Sequence, residues 1–208
     1  MWTADAYRRS EDWITPFTDT HLKEIDDALA HLRALGKGQG ANFGQADFPL
    51  DTLAGTLGDQ LETLERGRGF ILLRGLPVDR YDLEDLTNIY WGIGTYLGEG
   101  IYQNAKGDLV GHVTDHGNKF EGNDPYKYNI RAYTTTVSIP PHTDSCDLVG
   151  LLCVRPAQSG GESAVVSSTA LYNEFLETRP DLLEPLYKGF YLDLVGKGTQ
   201  EKELTHHP

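Results

Sequence analysis

A histidine and a carboxylate stand two positions apart in His142-Thr143-Asp144, directly after Ile139-Pro140-Pro141. On an extended chain, side chains at i and i+2 leave the same face, so a single ion can take both as ligands. Two histidines and one carboxylate on one face of a metal leave three coordination positions open, which is how proteins hold non-haem Fe(II) for oxygen chemistry. The spacing alone carries little information. With 7 His and 31 Asp+Glu in 208 residues, about one His-x-Asp/Glu triplet arises by chance, and the chain has this one. An ordinary turn with a His–Asp hydrogen bond reads the same way.

The chain that must position this pair is long enough to bury roughly 70% of its unfolded surface, so a core needs no disulfide or structural metal. Its 18 Lys+Arg against 31 Asp+Glu give a net charge of −13. That surface repels phosphate backbones, and no basic cluster interrupts it, so nucleic acid is excluded as a partner. Apolar runs such as Phe70-Ile71-Leu72-Leu73 fall far short of the ~20 residues that span a bilayer. Met1-Trp2-Thr3-Ala4-Asp5 has neither the basic nor the apolar segment of a secretory signal. The expectation is a cytoplasmic protein that does not enter membranes. Cys146 and Cys153 form neither a CxxC pair nor a zinc knuckle and are expected to be packing residues.

Leu22, Ile25, Leu29, Leu32 and Leu35 recur at helical spacing and predict a helix over 20–35, capped by Asp19 or Thr20 and ended by Gly36. Gly36-Lys37-Gly38-Gln39-Gly40 reads as a flexible linker rather than a phosphate loop. Leu50, Leu53, Leu57, Leu61 and Leu64 predict a second helix over 51–66. The glycine-bounded run 69–75 suits a buried strand, and a third helix is expected over 82–97. Beyond Gly98, short runs rich in Tyr, Thr, Val and Ile predict strands over 109–114, 131–139, 148–154 and 163–167. Helices over 170–178 and 181–188 and a strand over 190–195 follow. Helices first and short strands after them make an α+β chain around an antiparallel sandwich or barrel. Six strand candidates are too few to close an eight-stranded jelly roll.

His142-Thr143-Asp144, the apolar run 147–154, the turn ending in Gly160-Gly161-Glu162-Ser163, and a strand that meets a helix near Thr169 together resemble the taurine-dioxygenase-like (TauD/TfdA) family of Fe(II)/2-oxoglutarate-dependent oxygenases. Arg68-Gly69-Phe70-Ile71-Leu72-Leu73-Arg74-Gly75 is similar to that family's first core strand. The resemblance extends over about residues 61–198. It implies a single domain over 1–208, with an N-terminal helical region (1–60) and a partial double-stranded β-helix, or jelly roll (61–208), incomplete at the C-terminus and carrying inserted helices. It implies that His142 and Asp144 are catalytic metal ligands for Fe(II). Ser163, 19 positions after Asp144, falls where the family places a hydroxyl that binds the distal carboxylate of 2-oxoglutarate. The implied reaction converts 2-oxoglutarate and O2 to succinate and CO2 while oxidising, usually hydroxylating, an unactivated C–H of a small organic substrate.

In the family, the second histidine ligand and the arginine that pairs with the oxo-acid lie well downstream of the Gly-Gly turn. His206 and His207 come too early to match that histidine, and Arg155 and Arg179 sit at turn and helix-end positions that suit solvated charges. The expectation is therefore a chain truncated before the distal His and Arg. The alternative is a catalytically incomplete oxygenase-fold protein that acts in binding or assembly with a partner chain. Homo-oligomerisation or completion by a second chain is open under either reading.

His112-Val113-Thr114-Asp115-His116 has the i, i+4 histidines of a helical zinc site but lacks its glutamate, and Val113, Thr114 and Gly117 favour a strand end and turn. Tyr102, Tyr126, Tyr128 and Tyr133, with Arg131, could give a substrate pocket aromatic walls and one cation; Tyr102, Arg131 and Tyr133 are the substrate candidates. Trp13 and Trp91 are expected in the core or at docking contacts.

Overall fold

A computed structural model describes residues 1–104, 107–115, 117, 135–144, 146–193 and 204–207. The chain divides into two compact units, Met1–Ile101 with Ser163–Lys188, and Tyr102–Glu162 with Gly189–Pro208. The first is mainly helical: α1 (Ala4–Tyr7), β1 (Ile14–Pro16), α2 (Asp19–Ala34), α3 (Thr52–Arg66), β2 (Leu72–Arg74), α4 (Leu83–Gly94), α5 (Ser168–Thr178) and α6 (Leu183–Lys188). The second holds β3 (Phe190–Asp193) and β4 (Leu204–His207).

The buried stripe of α2 is Ile25, Ala28, Leu29 and Leu32, while Leu35 at the C-cap is exposed and Gly36 takes φ +66° to end the helix. The N-cap is Thr18, not Asp19 or Thr20. Thr18 Oγ1 accepts the His21 N–H at 3.2 Å, and His21 Nδ1 accepts the Thr18 N–H at 3.3 Å, so an imidazole takes the place usually filled by Glu or Gln in a capping box.

Helix α3 is capped from a distance. Asp51 stands at its N-cap without a side-chain bond; Glu24 of α2 instead accepts the N–H groups of Thr52 and Leu53, each at 2.9 Å. Burial would raise the Glu24 carboxyl, but the bonds from Leu53 and Thr52 outweigh it and hold the group below its ordinary 4.5. A carboxyl depressed by folding stabilises above its unfolded pKa, and that stability is lost as pH falls through the folded value. Glu24→Gln is therefore expected to cost about 1 kcal/mol at neutral pH and much less in acid, read from urea unfolding at both pH values.

Ile25, Ala28, Leu29 and Leu32 of α2 form one core with Leu53 and Leu57 of α3, Ile89 of α4, and Phe43, Phe48 and Leu50 from the connection between α2 and α3. Phe48 is 0% exposed, and its ring stacks on Phe43 at 5.8 Å. Gly92 of α4 lies under that ring, where a Cβ would come within 2.4 Å of it. Tyr96 donates its hydroxyl hydrogen to the Phe48 carbonyl at 3.0 Å and accepts the Leu50 N–H at 2.9 Å. Trp91 donates its indole N–H to the Phe43 carbonyl at 2.9 Å, the docking role expected of it. The glycine-rich segment is a connection, as expected, but an anchored one: Gly38 is buried at φ +101°, pressed against Asn88. Asp26 of α2 binds Arg80 and Tyr81 at 2.7 and 2.8 Å, and burial together with that bond pushes the Tyr81 phenol up to about 12.

Strand β2 forms within the expected run but is not buried. It pairs in parallel with β1 (Ile14↔Leu72, Pro16↔Arg74), its one neighbour among the described residues, and Leu72 faces solvent while Leu73 packs on the core. Phe70 just before it collects Trp2, Tyr7 and Trp13 at centroid distances of 4.9, 5.1 and 6.0 Å, which gives Trp13 its docking contact. Helix α5 starts two residues before its expected 170, because Ser167 Oγ accepts the Ala170 N–H.

In the second unit, β3 and β4 pair antiparallel with Tyr191 opposite His206. The sequence pattern did not predict β4. The strands expected over 109–114, 148–154 and 163–167, and the described part of 131–139, are irregular. A strand exists only through a neighbour that takes its ladder bonds. Without one among the described residues, Val149, Leu151, Val165 and Val166 stay exposed, Leu151 at 73%. Cys146 and Cys153 are exposed and form no disulfide, correcting their expected packing role. The fold is α+β as expected. The described residues do not display a closed jelly roll, and among them no helix is long and apolar enough to cross a membrane.

Candidate functional site

Ile139-Pro140-Pro141 leads into the His-Thr-Asp triplet without regular secondary structure. Each proline fixes its own φ and confines the residue before it to extended backbone, so the approach is stiff. His142 Nδ1 lies 2.8 Å from the Pro140 carbonyl oxygen. A carbonyl can only accept, so Nδ1 carries the hydrogen and donates it. In the neutral ring Nε2 is then left with its lone pair. That nitrogen lies 4.0 Å from Asp144 Oδ1, with the two side chains 54% and 52% exposed. The gap is too long for a hydrogen bond. Two electron-pair donors thus face one another across a gap that a cation, a proton or a water donating to both can bridge. Two ligands on one face of a metal, each bonded at about 2.1 Å, stand ~3.0 Å apart, so the pair can serve as two donors to one ion once it closes by about 1 Å from its 4.0 Å separation. Among the described residues no group of three or more His, Cys, Asp or Glu converges as a metal site.

The turn before Ser163 forms as expected, with Gly160 and Gly161 at φ +70° and +79°, a backbone that glycine enters without strain. Ser163 itself is exposed and belongs to the helical unit, whereas His142 and Asp144 belong to the other. Tyr102 is 68% exposed. Arg131, Tyr133, Tyr126 and Tyr128 lie outside the described residues, as does His116. His112 is exposed, and the Gly117 N–H bonds Asp115 Oδ1 at 2.7 Å, which makes a turn there and no helix. Arg179 makes a two-bond ion pair with Asp181 at the end of α5, and Arg155 is exposed, as suits surface charges. The Pro140 carbonyl was not anticipated. Its signal was the Pro-Pro dipeptide before a histidine.

Residues 28–208 match the family described as Taurine catabolism dioxygenase TauD, TfdA family. With most of its length matched, the chain belongs to the TauD/TfdA family. It is 34% identical over 200 residues to the FR-33289 synthase of Streptomyces rubellomurinus (strain ATCC 31215), an alignment covering 95% of this chain and 57% of that protein. It is 29% identical over 195 residues to the Taurine hydroxylase-like protein SAT17 of Stachybotrys chartarum (strain CBS 109288 / IBT 7711), covering 92% of this chain and 50% of that one. The chain thus spans a little over half and half the length of these curated relatives.

Proposed function

We propose that the protein is an Fe(II)/2-oxoglutarate-dependent dioxygenase that oxidises a C–H bond of a small organic molecule, with His142 and Asp144 as two of its iron ligands. The observation that carries this reading is the pair of facing donors, imidazole Nε2 and carboxylate Oδ1 4.0 Å apart, with Nδ1 already engaged. Family membership and the hydroxylase-like and synthase names of its relatives support it. A double-stranded β-helix core belongs to the same proposal.

When bound, Fe(II) with 2-oxoglutarate and O2 supplies oxidative decarboxylation to succinate and CO2, coupled to C–H oxidation. The chain's own residues hold and orient. His142 would give a neutral nitrogen through Nε2. Asp144 would add a negative charge that offsets part of the cation's charge, so its loss costs electrostatics as well as a bond. Ser163 would donate its hydroxyl hydrogen to the distal carboxylate of the oxo-acid. Tyr102 and Tyr133 would wall the substrate space, and Arg131 would meet an acidic group of the substrate.

Anaerobic Fe(II) plus 2-oxoglutarate is expected to give a weak metal-to-ligand absorption band, and admission of oxygen is expected to give succinate. Absence of both from the protein would favour a binding or assembly role on this fold. The exposed apolar side chains at Val149, Leu151, Val165 and Val166 are what would favour that second reading.

A further inference from the structure

We infer that the Pro140 carbonyl is a positioning group for His142, holding the imidazole in its Nδ1–H tautomer so that Nε2 is the nitrogen offered to a metal. The inference rests on the metal reading of the pair. Isolated imidazole side chains favour the Nε2–H form, which would turn a hydrogen, not a lone pair, toward Asp144. In this chain the acceptor 2.8 Å from Nδ1 reverses that preference, because the bond exists only when Nδ1 is protonated. The acceptor is built in. Pro141 holds residue 140 in extended backbone and locks its own φ, so the Pro140 carbonyl is aimed back at the ring two residues on before any ligand arrives. Partners of this kind, on the far nitrogen of a metal-binding histidine, set both the ring's orientation and the nitrogen that binds.

The tautomer is readable without turnover. Long-range 15N–1H correlation spectra of histidine-labelled protein, at a pH where imidazoles are neutral, separate N–H nitrogens from lone-pair nitrogens; His142→Gln identifies the signals by their loss. The expected result is a protonated Nδ1 and a lone-pair Nε2 on His142. In Pro141→Gly the tautomer ratio should move about five- to tenfold toward Nε2–H, the size of one net hydrogen bond, and Mn(II) affinity should fall about 10- to 100-fold. Pro141→Ala, milder for the backbone, should shift both in the same direction by less. An Nε2–H form in the parent, or a ratio unchanged in both variants, would overturn the inference. Its failure is separable from that of the metal reading. An Nε2–H ring with an intact Fe(II)/2-oxoglutarate band sinks the positioning role alone, whereas an Nδ1–H ring that responds to no divalent metal sinks the metal site and leaves the tautomer standing.

Discussion

Asp144→Ala is expected to lower 2-oxoglutarate-dependent succinate formation at least about a hundredfold, since changes even to the groups behind metal ligands cost 10–100-fold. The substitution removes one of two facing donors and the only formal negative charge in the pair, leaving Nε2 as a single nitrogen. A lone imidazole with its partner gone competes poorly with water for a divalent ion. Cys146→Ser, two residues on, is the matched control. Its exposed thiol bonds the Leu148 carbonyl at 3.3 Å, a contact that a serine hydroxyl can also make, and its activity should stay at the parent level. Equal activity in the two variants, measured as succinate released per unit time, would refute the assignment of Asp144.

Phe48→Ala should cost the helical unit about 3–5 kcal/mol, because it empties a fully buried aromatic site and leaves a cavity among helices that meet there. Thermal melting should then fall by roughly 6–20 °C. The sharper test is a cycle with Gly92. Alone, Gly92→Ala drives a methyl into the Phe48 ring, where Cβ would lie 2.4 Å from it, and should cost about 1–3 kcal/mol by overpacking. In the Phe48→Ala background the same methyl enters a cavity. Its cost should largely vanish, a coupling far above the few tenths of a kcal/mol seen between independent sites. Additive losses in the four-member cycle would show that Phe48 does not press on Gly92.

The helices were readable from sequence because their signal is local. Ile25, Leu29 and Leu32 repeat with the period of the helix that buries them, and Asp82 caps α4 three residues from the N–H it accepts. Glu24 capping α3 was not readable, since it acts across 28 and 29 positions. The strands failed for a related reason. Val165-Val166 and Leu148-Val149 carry β-forming side chains, but a strand is a relation between two segments, and composition does not name the partner. It also missed the short parallel pairing of Ile14–Pro16 with Leu72–Arg74. At the candidate site, His142 and Asp144, two positions apart, approach to 4.0 Å. The role of Pro140 was hidden because its functional atom belongs to the backbone, where residue type says nothing about chemistry. Arg131 and Tyr133 remain proposals drawn from sequence alone.

The most direct measurement is an EPR titration with Mn(II), a non-oxidising stand-in for Fe(II), counting free ion by its six-line signal in the parent, His142→Ala and Asp144→Ala proteins. If both side chains grip one ion, the parent binds a single Mn(II) per chain and each variant loses it. Binding of equal strength in all three proteins, or none in the parent, would contradict a metal held between His142 and Asp144.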